Sequence, residues 1–368
     1  MRKTKIGVIG TGSISDVYLS SPQKFSNYEI AGVADLNVER AQEQAVKHQI
    51  PFAGSVSELL EKEDIELIVN LTIPAAHKEV SIKSLQAGKH VYSEKPLATT
   101  YSDGLLVMEE ARRSGLHVGT APDTFLGAGL QTCRTLLDQG VIGEPVGASA
   151  FMLGRGPESW HPNPEFFYKK GAGPLFDLGP YYLTALISLL GPVSHVASMN
   201  RVTVPEREIT SEPFAGIKIK VEVPTYVSSL LQFSTGISAS FMTSFDVWNT
   251  KLPKIEIYGT KGTLLVPDPN EFNGPVCYMN DETEGWKEAN LVSAYIDNCR
   301  GIGLADMIRG IKENRPYLCS GELGLHVLEV MEIILESSDK KRFLELDTQC
   351  SKPEPLMGLQ TQYKHRSE

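Results

Sequence analysis

Lys5-Ile6-Gly7-Val8-Ile9-Gly10-Thr11-Gly12-Ser13-Ile14-Ser15 carries the first structural signal in this 368-residue chain. A short apolar run of strand composition ends in a Gly-x-Gly turn and passes straight into a segment of helical periodicity. A glycine pair with a strand before it and a helix after it is the context of a dinucleotide-binding loop rather than of a plain turn. Gly10 permits the tight turn, Gly12 lets backbone approach a pyrophosphate, and the small Ser15 stands where a third glycine would allow close helix–strand packing. The helix start at Ser13 and Ile14 offers N–H groups and dipole to phosphate.

Working outward, Ala31-Gly32-Val33-Ala34-Asp35 ends the next strand in a carboxylate at the spacing expected for a ribose-binding acid. Such a group accepts both ribose hydroxyls of NAD and repels a 2′-phosphate. Leu36 and Asn37 supply no cation, and Arg40 reads as a solvated helix residue, so NAD is the expected cofactor and NADP the alternative. Strand-like runs at Leu67–Leu71, His90–Tyr92 and His117–Thr120 alternate with helical segments at Val38–His48, His77–Ala87 and Ser102–Ser114. That alternation predicts βαβ units on a parallel sheet.

The pattern changes after Pro122. Helical segments at Leu130–Gln139 and Tyr181–Leu190 precede runs with hairpin punctuation at Lys218–Val223, Tyr226–Phe233, Ile237–Phe245, Lys254–Tyr258 and Thr263–Val266. These predict a second domain on an open, mainly antiparallel sheet. A further helix is expected at Gly321–Ser337. The divisions are therefore 1–122, 123–350 and a polar, aperiodic tail, 351–368, expected to be disordered.

Composition narrows the function. With 41% hydrophobic and 22% charged residues the chain can bury ordinary cores, and 35 Lys+Arg against 45 Asp+Glu, a net charge of −10, disfavours a nucleic-acid partner. Five dispersed cysteines without CxxC spacing read as reduced thiols, not as a metal site. No window is apolar enough to span a bilayer, and the first residues leave no room for a signal peptide, so a cytoplasmic protein without membrane contact is expected.

A strand ending in Ser93-Glu94-Lys95-Pro96 puts a lysine at the carboxyl edge of the parallel sheet, where open α/β sheets bind ligands. Gly10 and Gly12, Asp35, Thr72-Ile73-Pro74 with His77, and Glu94-Lys95-Pro96 together resemble the Gfo/Idh/MocA oxidoreductases, NAD(P)-dependent enzymes acting mostly on sugars and cyclitols. Gly171-Ala172-Gly173-Pro174-Leu175-Phe176-Asp177-Leu178-Gly179-Pro180-Tyr181 resembles that family's glycine-rich segment before its catalytic residue, and Ile255–Gly262 resembles its late strand and turn. Many members carry histidine where this chain has Tyr181, and the carboxylate often found three residues later is Thr184. Some branches use tyrosine there.

The resemblance implies a Rossmann domain followed by an α+β domain with the active site between them. It also implies hydride transfer between nicotinamide and a secondary alcohol or ketone of a sugar or cyclitol. On this reading Lys95, Tyr181 and Asp177 are catalytic: Tyr181 exchanges the hydroxyl proton with help from the Lys95 ammonium, which also faces the substrate oxygen, and Asp177 orients a hydroxyl. Gly10, Gly12, Ser13, Ile14, Asp35, Thr72, Pro74, His77, Glu94 and Lys95 hold the cofactor. Trp160 and His161, in the Pro/Gly-rich loop 154–164, join Lys95, Asp177 and Tyr181 at the substrate, because aromatic faces stack on sugar rings while polar groups bind hydroxyls. His161 is the rival proton carrier, and no metal is expected. A sugar hydrolase or lyase with retained NAD and a catalytically silent regulator are the alternatives. An exposed apolar sheet face, read from Ser229–Phe233 and Ser238–Met242, predicts a homodimer or homotetramer.

Overall fold

β1 (Thr4–Ile9) is buried except at Lys5, with the apolar Ile6, Val8 and Ile9 turned to both faces, the pattern of a central parallel strand. The computed structural model, which describes residues 2–356, places it inside a six-stranded parallel sheet. The alternating elements that follow are α1 (Ser15–Ser20), β2 (Tyr28–Ala34), α2 (Val38–His48), β3 (Ala53–Gly54), α3 (Val56–Leu60), β4 (Leu67–Asn70), α4 (Pro74–Gln86), β5 (His90–Ser93), α5 (Tyr101–Ser114) and β6 (Val118–Thr120). The strand order β3-β2-β1-β4-β5-β6 reverses between β1 and β4, and that reversal opens a crevice at the carboxyl ends of those strands. Local signals start the helices: Asn37 and Thr100 cap α2 and α5, and Ser55 with Glu58 forms a capping box on α3. α1 is short, because Pro22 turns its continuation into a 3-10 turn at Ser21–Gln23.

The rest of the chain runs through α6 (Ala128–Asp138), β7 (Pro145–Leu153), α7 (Gly173–Asp177), α8 (Gly179–Leu190), β8 (Val193–Arg201), β9 (Glu206–Glu208), β10 (Lys218–Lys220), β11 (Tyr226–Phe233), β12 (Ser238–Ser244), β13 (Ile255–Gly259), β14 (Gly262–Val266), β15 (Cys277–Asn280), β16 (Lys287–Glu288), α9 (Ile302–Glu313), α10 (Gly321–Lys340) and β17 (Leu344–Glu345). Nine of these strands form a sheet in the order β16-β15-β14-β13-β7-β12-β11-β8-β17, with β7 and β12 parallel and the other described pairs antiparallel. α6, α7 and α8 pack on one face of it. Leu231, Phe233, Ala239 and Phe241 are buried, alternating with the more exposed Leu230, Ser238, Ser240 and Met242. The apolar alternation expected to supply an exposed face is thus mostly spent on the internal core. The open face mixes serines with apolar side chains such as Met199, 80% exposed, and Leu230, 57% exposed.

Two compact units result, Met1–Gly127 with Ala294–Leu328, and Ala128–Ser293 with Glu329–Pro353. Residues 123–127 and 294–328 therefore group with the parallel sheet, whereas the sequence division assigns them to the second domain. Of the 351–368 tail, residues 351–356 have no regular structure, and 357–368 lie outside the described residues. Lys218–Val223, expected in the main sheet, contributes only β10, which pairs with β9 in a separate ribbon.

A buried carboxylate accounts for the placing of α9. Asp123 accepts the N–H groups of Gly301 at 2.8 Å and Gly303 at 3.1 Å, and so caps the amino end of that helix. Burial pushes the Asp123 carboxyl up to about 6, against the pull of those N–H groups and of Arg300. Because the native state holds its proton more tightly than the unfolded chain, this residue's contribution to stability falls as pH rises from about 4 to about 6. The difference is roughly 3 kcal/mol at 1.36 kcal/mol per pKa unit. Asp123→Asn keeps an acceptor oxygen and loses this titration. Chemical denaturation should therefore show the stability of the variant gaining on the wild type by about 2–3 kcal/mol between pH 4 and pH 7; parallel curves would contradict the assignment.

Candidate functional site

The two glycines of the first loop are required for different reasons. Gly10 has φ +99°, and a Cβ there would stand 2.6 Å from the Leu71 main chain. No other residue fits the crossing. Gly12 is exposed, and a Cβ there would meet nothing within 4 Å, so the space in front of it is open. Ser13 is exposed beside it and Ile14 half-buried, while Ser15 is buried and bonds Gly12 O at 2.7 Å, filling the close-packing role expected of it. Asp35 closes the loop from the neighbouring strand: its Oδ2 accepts from Thr11 N and Thr11 Oγ1, both at 2.8 Å, and its Oδ1 from Asn37 N at 2.9 Å. Burial alone would raise this carboxyl, but those hydrogen bonds and Arg40, with Nη2 at 3.5 Å, outweigh it and hold the group below its usual range. Asp35 is therefore a fixed anion at the edge of the crevice, and Arg40 is its partner rather than a solvated bystander.

At the end of β4, Asn70 Oδ1 accepts from both N and Oγ1 of Thr72, at 3.2 and 2.7 Å, and Pro74 starts α4 where a missing N–H costs nothing. Leu36, 100% exposed, and Ile73, 71% exposed, flank the sheet edge with apolar surface. The structure turns His77, expected at the cofactor, inward. It is fully buried, with Nδ1 2.6 Å from Pro96 O and Nε2 3.0 Å from Thr72 O, so it ties the α4 turn to the segment after β5. Desolvation pushes its pKa down despite those carbonyls.

Glu94 is likewise committed to the protein. Its Oε1 accepts from the Tyr18 hydroxyl at 2.7 Å and its Oε2 from Lys95 N at 3.0 Å. Tyr18 lies on α1, directly after the Gly-x-Gly loop, and is fully buried. One carboxylate thereby joins the helix of the dinucleotide loop to the backbone that carries Lys95, which is half-buried. A role for Glu94 in holding the cofactor is at most indirect, through this brace.

In the second unit a single helical residue, Leu178, joins α7 to α8, so Asp177 and Tyr181 stand one turn apart along the chain. Asp177 is half-buried at the end of α7, and Tyr181 is 8% exposed. Its neighbour Tyr182 is more deeply enclosed, and burial raises its phenol well above the usual range. In the preceding loop, Trp160 is 65% exposed and meets His161 and Phe167 edge-on, at 5.5 and 6.2 Å between ring centroids. His161 Nδ1 accepts from Asn163 N at 3.1 Å, which leaves the neutral ring's proton on Nε2. Among the described residues, no three His, Cys, Asp or Glu side chains gather to hold a metal ion, and no helix is long and apolar enough to cross a membrane.

Open space at Gly12, exposed Ser13 beside it, a fixed Asp35 and apolar flanks at Leu36 and Ile73 fit a dinucleotide. The first unit is a dinucleotide-binding domain at the switch point of a doubly wound sheet, in the class of nicotinamide-dependent oxidoreductases. Residues 4–121 match the oxidoreductase family with an NAD-binding Rossmann fold and residues 130–265 match the GFO/IDH/MocA C-terminal domain, and the chain belongs to this family. The 1,5-anhydro-D-fructose reductase of Ensifer adhaerens is 25% identical over 70% of this chain and 74% of its own. A trans-1,2-dihydrobenzene-1,2-diol dehydrogenase of Macaca fascicularis is 27% identical over 89% of this chain and 91% of its own. A levoglucosan dehydrogenase structure with NADH and L-sorbose superposes with a TM-score of 0.81 at 19% identity, covering 95% of this chain and 100% of its own, a likeness of fold.

Sequence reading misses Tyr18, whose partner lies 76 residues away, and the role of Arg40 beside Asp35. It also misses Arg155, whose guanidinium stacks 3.8 Å from the centroid of exposed Trp248. Only the helical period of α1 marks Tyr18 as inward-facing. From the Asp35 geometry, NADH should bind more tightly than NADPH by fluorescence titration. Asp35→Ala should erode that preference by about tenfold or more, since it removes a fixed anion facing a 2′-phosphate; equal wild-type affinities would overturn the role.

Proposed function

We propose that this chain oxidises a secondary alcohol on a sugar or cyclitol, or reduces the corresponding ketone. Bound NAD supplies the hydride acceptor or donor. The observation that carries the reading is the Glu94 brace, which ties Lys95 to the helix of the dinucleotide loop, so that the charged lysine and the cofactor cradle belong to one rigid framework. Lys95 supplies the positive charge that stabilises an alkoxide forming on the substrate oxygen. Tyr181 takes the hydroxyl proton in oxidation and returns it in reduction. The locked tautomer of His161 supports tyrosine as proton carrier and leaves the histidine as a hydroxyl donor. Asp177, one turn before Tyr181, accepts from a neighbouring hydroxyl and orients the ring, and exposed Trp160 offers an aromatic face. The relatives' names, a reductase of an anhydro sugar and a dehydrogenase of a cyclic diol, support a ring substrate bearing hydroxyls. A screen of sugars and polyols for NADH absorbance tests the reading, and tightly bound NAD with no net NADH would favour transient oxidation instead.

Cys133, Cys299 and Cys319, buried and unbridged, support a reducing, cytoplasmic compartment. The open sheet face bearing Met199 and Leu230 supports assembly through the second unit, and light scattering at micromolar concentration should report a dimer or tetramer, a monomer rejecting it.

For catalysis, Tyr181→Phe should lower turnover by about 10²–10⁴-fold with NADH affinity nearly unchanged. Lys95→Ala should cost at least as much, and the double variant little more than Lys95→Ala alone, because groups acting as a unit do not add. Loss of turnover in His161→Ala, with Tyr181→Phe staying within about threefold of wild type, would reverse the assignment.

A further inference from the structure

Between β8 and β11 the chain leaves the nine-stranded sheet for the segment 202–225, whose β9–β10 ribbon pairs with neither of those strands. A two-stranded ribbon of this size is not stable by itself. Its attachment runs to the loop that carries Trp160 and His161. Arg207, buried at the centre of β9, donates through Nη1 to the Glu158 carboxylate and through Nη2 to the Asp246 carboxylate and, at 3.2 Å, to Phe245 O. The Glu158 carbonyl accepts from Thr210 N and Ser211 N, both at 2.9 Å. Ser211 Oγ donates to His161 O at 2.6 Å, and Glu222 N donates to Tyr168 O at 2.9 Å. Asp246 is held in turn by Thr225 Oγ1 at 2.7 Å.

The loop is thus fastened at 158, 161 and 168, bracketing Trp160, whose ring remains largely exposed. A buried cation between two carboxylates carries a desolvation penalty that an apolar cluster of equal volume would not. What the charges supply is directionality, since a guanidinium satisfies two carboxylates in only a few arrangements. A loop held this way presents its exposed aromatic ring in one pose.

We propose that Arg207 is a positioning residue for substrate selection: the segment 202–225 clasps loop 154–168 and fixes the pose in which Trp160 and His161 meet the ring of the substrate. The inference rests on the reading of that loop as the ring-binding one. Arg207→Met keeps an apolar stem and removes both ion pairs. Assayed with NAD and myo-inositol, and with NADH and 1,5-anhydro-D-fructose, it should raise KM for the sugar about tenfold or more, with kcat within about threefold and NADH affinity unchanged. Arg207→Lys should recover part of the loss. Trypsin should cleave after Lys169 and Lys170 at least several-fold faster in Arg207→Met than in wild type. Should Arg207→Met not fold, Glu158→Gln, which keeps the shape and removes one charge, should shift KM and cleavage in the same direction.

Trp160→Ala separates the two ideas. An unchanged KM in Trp160→Ala overturns the reading of the loop and the clasp with it. A raised KM in Trp160→Ala with an unchanged KM in Arg207→Met and Glu158→Gln overturns the clasp alone. A wild-type chain without turnover on either sugar, and with trypsin cleavage unaltered by Arg207→Met, overturns both.

Discussion

Everything at the carboxyl edge of the parallel sheet depends on the close approach of Gly10 to the end of β4. Gly10 N bonds Ala34 O and Leu71 N bonds Ile9 O, both at 2.8 Å, so the turn after β1 is held between the strands on either side at the point where their order reverses. A Cβ at residue 10 would collide with main chain, which cannot move aside without breaking those bonds. The backbone constraint comes first, and the functional groups are hung from it: Asp35 bonds Thr11, the next residue, and Glu94 reaches Tyr18 on the helix that the turn begins.

Charged residues of the first unit are used there as rigid parts. A carboxylate accepting two or three N–H or O–H bonds is oriented as firmly as any core side chain, and the bonds also keep it ionised. Asp35 does this with its charge still facing the crevice. Glu94 has both oxygens engaged by the protein, so its contribution is geometric. Asp123 shows the opposite balance: enclosed more completely, it keeps its two helix N–H donors but is pushed up to about 6. The difference between Asp35 and Asp123 lies in burial.

Legibility in the sequence follows the same physics. The parallel sheet and the loop could be read because their signals are local: β1, Gly10, Gly12 and Asp35 announce themselves by residue type and spacing, and the family match agrees. β7 escaped because Pro145-Val146-Gly147-Ala148-Ser149-Ala150 is rich in small residues with little strand propensity, although two neighbouring strands make it central to its sheet. α9 escaped because Gly303 and Gly310 interrupt its period and its cap, Asp123, lies 178 residues away. The segment around β10 misled in the other direction, since Ile219, Val221 and Val223 alternate like a sheet strand and are buried, but only Lys218–Lys220 pairs, and it pairs in a separate ribbon.

The same distinction bears on the residue that moves a proton. Judged by type alone, His161 outranks Tyr181, because imidazole titrates near neutrality and a phenol near 10. Judged by surroundings the order changes. A histidine that accepts a backbone N–H at Nδ1 carries its proton on the other nitrogen, and to take a second one it must give up the Asn163 bond that shapes its own loop. Tyr181 sits three residues into a helix that begins at Gly179, among the buried apolar residues Leu183, Ala185 and Leu186 of the same helix. On the reading proposed above, the tyrosine carried by a buried helix moves the proton, and the loop histidine, whose Nδ1 is spent on shaping its own loop, is left to donate to a sugar hydroxyl.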